Sequence, residues 1–232
     1  MTNIKAAEQL GIQHQEMRLI YSNKDKRWKV SNTCDTMKVE AAVLQIFHDD
    51  GWAGYPSEGG LILNSIKAAS FKPLLKRDKM VYIEALYYIN YELRNKDVTF
   101  DEYEYDDLIE NIRSSNIAQF SKNIEIMFDN SISGSNVRDI FPDLQPQIMV
   151  EFYLHIGNER LARIAEIFAK DPYEYRKGWP DLTLWKPGSE QIIFREVKAP
   201  RDKIRPSQKK VIQDILLPLG YDVGIIDVKR HS

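Results

Sequence analysis

The sequence predicts an α/β fold: a mixed sheet flanked by helices, with a large helical stretch inserted into it. Residues 181–186 and 191–198 are short apolar runs whose side chains alternate with period 2, and the turn-forming Pro187-Gly188-Ser189 separates them. Residues 206–218 follow as an amphipathic helix and 222–228 as another strand, and a strand–strand–helix–strand order builds a sheet with helices around it. Upstream, from about 79 to 170, the apolar spacing is helical, which makes this region an insertion packed on the core.

Residues 1–37 are polar and mixed and read as an N-terminal extension anchored by Trp28 and Val30. The core domain is expected over 38–232. It opens with a helix over 38–49, where Val39, Val43, Ile46 and Phe47 recur at helical spacing with Glu40 on the flank. A glycine-rich turn over 51–60 leads into a second helix expected over 61–76. Glu58 therefore stands at or just before a helix N-terminus, where a carboxylate is stabilised and a cap is the simplest role. Helical patterns continue over 81–93, which carries Glu84 among apolar neighbours, then over 115–128 and 144–169. The last helix is the best specified. Pro206 suits its first turn, Val211, Ile212, Ile215, Leu216 and Leu219 form its buried face, and Gly220 suits its C-terminal cap. Gln208 lies one turn before Ile212, near the core margin, whereas Lys209 and Lys210 lie off the apolar stripe.

Composition removes several classes of function. A single cysteine, Cys34, excludes a disulfide framework and cysteine-based zinc clusters, and His14, His48, His155 and His231 show no ligand spacing. Residues 1–30 are charged throughout and no run approaches the length of a membrane span, so a cytoplasmic protein with no membrane partner is expected. The formal net charge of −2 hides local extremes. Residues 195–213 carry seven Lys or Arg against Glu196 and Asp202, while residues 97–111 carry seven Asp or Glu and no base. The basic run matches the footprint of a protein that grips a phosphate backbone, with Arg201, Lys203, Arg205, Lys209 and Lys210 as the candidate contacts. The acidic run faces away from nucleic acid or presents a surface to a protein.

The chemistry concentrates in residues 178–198. Alternation puts Ile192, Phe194, Glu196 and Lys198 on one face of their strand, so a carboxylate and an ammonium leave it side by side. Antiparallel pairing through the turn at 187–189 brings Asp181 to the Glu196 end. Three such residues on an exposed edge are ordinary surface groups. Flanked by Ile, Phe and Val they are costly to bury unless something pairs with them, and a divalent metal with a phosphate does so. Two converging carboxylates suit Mg²⁺ or Mn²⁺, because hard cations prefer oxygen ligands.

Glu58-Gly59, then Gly178-Trp179-Pro180-Asp181-Leu182, then Glu196-Val197-Lys198 running to Gln208, resembles the VRR-NUC nuclease family. This is a branch of the restriction-endonuclease-like PD-(D/E)xK superfamily. The helical stretch between Gly60 and Gly178 is similar to that in the nuclease domain of the Fanconi-anaemia-associated nuclease and its bacterial relatives. The resemblance implies that Asp181 and Glu196 are metal ligands, that the backbone carbonyl of Val197 adds an oxygen, and that Lys198 is the catalytic lysine. It implies that Glu58 is a further metal-binding acid and that Glu84 and Gln208 support the site. Ala199 departs from the family's usual glycine before Pro200, and the repair enzyme's accessory DNA-binding and helical-repeat domains are not expected here.

The implied activity is divalent-metal-dependent hydrolysis of DNA, either structure-selective at flaps or junctions or relatively non-specific. A second reading is an antibacterial DNase effector, delivered into a target cell's cytoplasm and neutralised by an immunity protein that docks on the acidic run. A third, of another class, is an inactive DNA-binding or scaffold module that recruits a protein through the same run.

Overall fold

The computed structural model of the chain describes residues 2–30, 35–56, 58–87, 105–129 and 137–231. Cys34 and residues 97–104 of the acidic run lie outside these. The chain forms two compact units, one from residues 1–59 with 178–232 and the other from residues 60–177.

In chain order the first unit begins with α1 (Asn3–Leu10), β1 (Gln13–Ser22), β2 (Arg27–Lys29), α2 (Val39–Asp49) and β3 (Ala53–Pro56). The helical unit then supplies α3 (Gly60–Ala69), α4 (Ile83–Tyr87), α5 (Tyr105–Ser114), α6 (Ile117–Phe128), α7 (Val137–Ile140), α8 (Pro146–Phe168) and α9 (Pro172–Tyr175). The chain returns to the first unit with β4 (Leu182–Trp185), β5 (Ile192–Lys198), α10 (Pro206–Val211) and β6 (Asp222–Arg230).

The sheet has six strands in the order β2-β1-β6-β5-β4-β3. Strands β1 and β5 run parallel to β6, while β2, β3 and β4 pair antiparallel with their neighbours, giving the mixed sheet expected of a PD-(D/E)xK core. The β4–β5 hairpin has the anticipated direction, with Leu182 opposite Arg195 and Trp185 opposite Ile192. Alternation then sorts β5 between two layers. Ile193 and Val197 join Leu182, Leu184, Ile226 and Val228 in one apolar cluster with Ala42, Val43 and Leu44 of α2. Phe194 lies on the other face, its ring edge-on to Tyr221 at 5.2 Å. Val211, Ile212, Ile215 and Leu216 are all fully buried. At roughly 1.5–3 kcal/mol for each buried aliphatic side chain, they fix the segment that carries Gln208.

Three local differences from the sequence expectation have physical causes. The helix anticipated over 61–76 stops at Ala69, because the ring of Pro73 is incompatible with the helical carbonyl four residues earlier. Buried Asn123 takes over there: its amide donates to Ala68 O and Phe71 O, both at 2.8 Å, and its oxygen accepts from Leu74 N at 2.9 Å. The last helix is α-helical only to Val211 and continues through Ile212–Leu216 as a π-helical turn, with Leu217 N–H bonded to Ile212 O at 2.9 Å. The N-terminal residues contribute two strands, β1 within the sheet and β2 at its margin.

The helical unit contains a buried charged group of its own. Lys67, 4 % exposed, donates its ammonium to the carbonyls of Lys79 and Val81. Burial lowers its pKa to about 7, against the opposing charges of Asp78 and Glu84. Among the described residues no helix is long and apolar enough to cross a membrane.

Candidate active site

The site grows from the way β4 begins. The last residue pair of the β4–β5 ladder is Leu182 with Arg195, so the amide of Val197 has no strand partner on that side. Asp181 stands one step before β4 and fills the gap, its Oδ2 accepting from Val197 N at 2.8 Å. The motif around it fits tightly. Gly178 has φ 89°, and a Cβ there would come within 2.3 Å of Ser207 O at the start of α10. Trp179 is buried against Gly59, whose own Cβ would fall 2.5 Å from the indole. The sequence Gly178-Trp179-Pro180-Asp181 thus allows the chain to pass close against the start of α10 and deliver one carboxylate to the end of β5.

Glu196 and Lys198 leave β5 on the α10 side, fully buried and 6 % exposed respectively. Gln208, also fully buried, connects them. Its Nε2 donates to Glu196 Oε1 at 2.6 Å, and its Oε1 accepts from Lys198 Nζ at 3.1 Å and from Arg205 N at 2.8 Å. The Lys198 ammonium also pairs with Glu196 Oε1. The second Glu196 oxygen, Oε2, is buried and receives no hydrogen bond from a donor among the described residues.

Electrostatics mark this as a place for added positive charge. Burial, then the neighbouring Asp181 charge, raise the Glu196 pKa to about 8 despite Lys198. Burial also raises that of Asp181, against the opposing bond from Val197, and the charge of Glu40 adds to the rise. Two buried carboxylates close enough to share a proton, one with an unsatisfied oxygen, form a hard-oxygen donor set that fits a divalent cation. Among the described residues no three His, Cys, Asp or Glu side chains gather into a ligand set. The side chains at this point are therefore a two-carboxylate set, which suits an ion such as Mg²⁺ that retains water.

The remaining expected site residues fall as follows. Glu58 has φ 44° and precedes α3 as anticipated, but it is exposed and its partner is Arg205 Nη2 at 3.5 Å, so it does not join Asp181 and Glu196 in a three-acid set. Glu84 belongs to the helical unit, where it faces Lys67. Arg201, Lys203 and Arg205 are exposed on the segment between β5 and α10. Lys210 pairs with Asp214 at 3.5 Å across one helical turn, and Lys209 precedes it, partly buried. Glu40 was not singled out from the sequence; its place in the first turn of α2 shows only a helix-start acid, and the packing of α2 on the sheet is what brings its charge near Asp181.

A mixed sheet carrying an Asp, a Glu and a Lys at the ends of adjacent strands, with helices on both faces, is the restriction-endonuclease-like PD-(D/E)xK architecture. Residues 133–230 match the model of the VRR-NUC domain family. The Fanconi-associated nuclease 1 homolog of Caenorhabditis elegans is 33% identical over 76 residues, which are 33% of this chain and 8% of that protein. The crystal structure of paFAN1 bound to a 2nt 5′-flap DNA with gap superposes with a TM-score of 0.65 at 18% identity, covering 98% of this chain and 41% of paFAN1. A second, with a 1nt 5′ flap, gives a TM-score of 0.53, also at 18% identity, over 98% of this chain and 42% of paFAN1. The chain thus spans well under half the length of these relatives, and the two solved structures share its fold.

Proposed function

We propose that this protein is a divalent-metal-dependent DNase that hydrolyses phosphodiester bonds, with a preference for flaps or junctions over continuous duplex. The observation that carries the reading is the buried Asp181–Glu196–Lys198 cluster held by Gln208 at the end of β5. The flap DNA bound in the paFAN1 structures supports the substrate class, since the two proteins share a fold across nearly the whole of this chain.

Asp181 and Glu196 would hold Mg²⁺ or Mn²⁺, with the Val197 carbonyl as a further oxygen and Glu58 available from outside the pair. Such an ion, when bound, acidifies water and neutralises charge on a reacting phosphate. The chain's own residues do the rest. The Val197 amide fixes the orientation of Asp181, and Gln208 fixes that of both Glu196 and Lys198. Lys198 presents a buried, preoriented ammonium where negative charge develops on the phosphate, a role that requires no proton loss from it. Exposed Arg201, Lys203 and Arg205, with the half-buried Lys209 and Lys210, contact phosphates and carry no base information.

The experiment is cleavage of 5′-flap, four-way-junction and plain duplex substrates in Mg²⁺ or Mn²⁺, with EDTA controls. Faster cleavage of the branched substrates supports the reading. Equal rates on all three would remove the structural preference, and cleavage that persists in EDTA would remove the metal.

A further inference from the structure

Asn3, the first residue of α1, is 7 % exposed and lies 199 to 224 residues in sequence from the groups it binds. Its amide nitrogen donates to Asp202 O at 2.9 Å and to Asp227 Oδ1 at 2.6 Å, and its oxygen accepts from Ile204 N at 3.0 Å. Both donors and the acceptor of one buried side chain are therefore engaged. The anchor is firm on both sides. Asp227 sits opposite Lys198 in the β5–β6 register and is bonded through Oδ2 to His14 Nε2 at 3.1 Å. Helix α1 is itself fixed by the burial of Ala6, Ala7 and Leu10 and by the left-handed Gly11 cap.

The two backbone groups that Asn3 holds belong to the loop 199–205, which leaves Lys198 and enters α10 at Gln208. Its N-terminal end is tied to β5, and its C-terminal end to Gln208 through Arg205 N. Between them only Ile204 is buried, while Arg201 takes φ 80° and Arg201, Lys203 and Arg205 are exposed. Left to itself, such a loop samples many conformations, and gripping phosphate would first have to order it.

We infer that Asn3 is a positioning residue: its amide holds the loop 199–205 in one conformation, so that Arg201 and Lys203 meet the DNA backbone preorganised. This rests on the DNase reading above and adds to it an element supplied by the N-terminal helix. Asn3 acts on substrate binding rather than on the chemical step, because Glu196 and Lys198 are held separately by Gln208.

The test is a double-mutant cycle on the full chain between Asn3→Asp and the pair Arg201→Ala/Lys203→Ala. Asn3→Asp keeps the size and the acceptor but points a carboxylate at Asp202 O and Asp227. Binding is read by anisotropy of a labelled flap duplex in EDTA, and kcat and KM are read in Mg²⁺. Expected is about a tenfold loss of affinity for Asn3→Asp, with kcat changed by less than about twofold and no further loss when it is added to the loop pair. An undiminished tenfold loss in the loop-pair background would overturn the inference, as would a fall in kcat with unchanged binding. A folding defect would lower active protein equally in both backgrounds and so count against it; Asn3→Ser, which makes no new charge, must then reproduce the non-additive pattern or the inference fails. If the wild type cleaves DNA while the loop pair binds as well as it does, the DNase reading stands and the role of the loop falls.

Discussion

Gln208 donates to Glu196 Oε1 at 2.6 Å, joining a helix to the strand that carries the acid. Because the same amide accepts from Lys198 and Arg205, one side chain sets the attitude of two reactive groups and the start of α10. Replacing it by leucine leaves buried donors without an acceptor. We expect cleavage to fall about 10- to 100-fold and stability by about 1–3 kcal/mol. Rates near those of wild type in the leucine variant would show that Gln208 only fills space.

Gly178 is required by conformation and by space. Gly178→Ala would place a methyl against Ser207 O at a left-handed φ, so a loss of more than about 1 kcal/mol is expected, with α10 displaced from the site. Chemical denaturation measures the first effect and cleavage the second. Unchanged stability would mean that the backbone here is less constrained than its geometry.

The raised pKa of Glu196 has a sign that can be checked. Its folded value, about 8, lies above the ordinary 4.5, so between these the folded state binds the extra proton. Metal-free protein should therefore lose stability as pH rises from about 4.5 through about 8. A divalent ion needs the carboxylate ionised, so its apparent affinity should climb over the same window and level above it, with proton release on binding. Calorimetry in two buffers of different ionisation enthalpy reads that release. No proton released at pH 6.5 would contradict the burial assigned to this pair.

Lys209 and Lys210 supply a separate check on how DNA is held. Their reversal to Glu should weaken binding to unrelated duplexes about equally and flatten the salt dependence. A loss confined to one base sequence would mean that α10 reads bases.

The β4–β5 hairpin and the site upon it were legible because period-2 alternation and a Pro-Gly turn are local signals that also dictate where Asp181, Glu196 and Lys198 emerge. The last helix was legible from its own local signals, helical apolar spacing between Pro206 and Gly220, and β6 from its apolar run. Strand β1 was obscured by its polar residues: only Met17, Leu19 and Tyr21 alternate, and they pack on the core as their spacing allows. In α5, acids at 106, 107 and 110 masked the buried stripe of Leu108, Ile109 and Ile112. Glu40 and Asn3 were beyond reach for another reason, since each gains its meaning from a partner more than a hundred residues away.

The central claim is that Asp181 and Glu196 hold the divalent ion on which DNA cleavage depends. Asp181→Asn keeps the acceptor for Val197 N–H and removes one of the two repelling charges, so the variant should fold at least as stably as wild type in EDTA. The decisive measurement is the Mg²⁺-dependent cleavage rate of a 5′-flap duplex by this variant beside wild type. A fall of more than about a hundredfold, larger than loss of a supporting residue, is the predicted result; a folded variant that cleaves at the wild-type rate would contradict the claim.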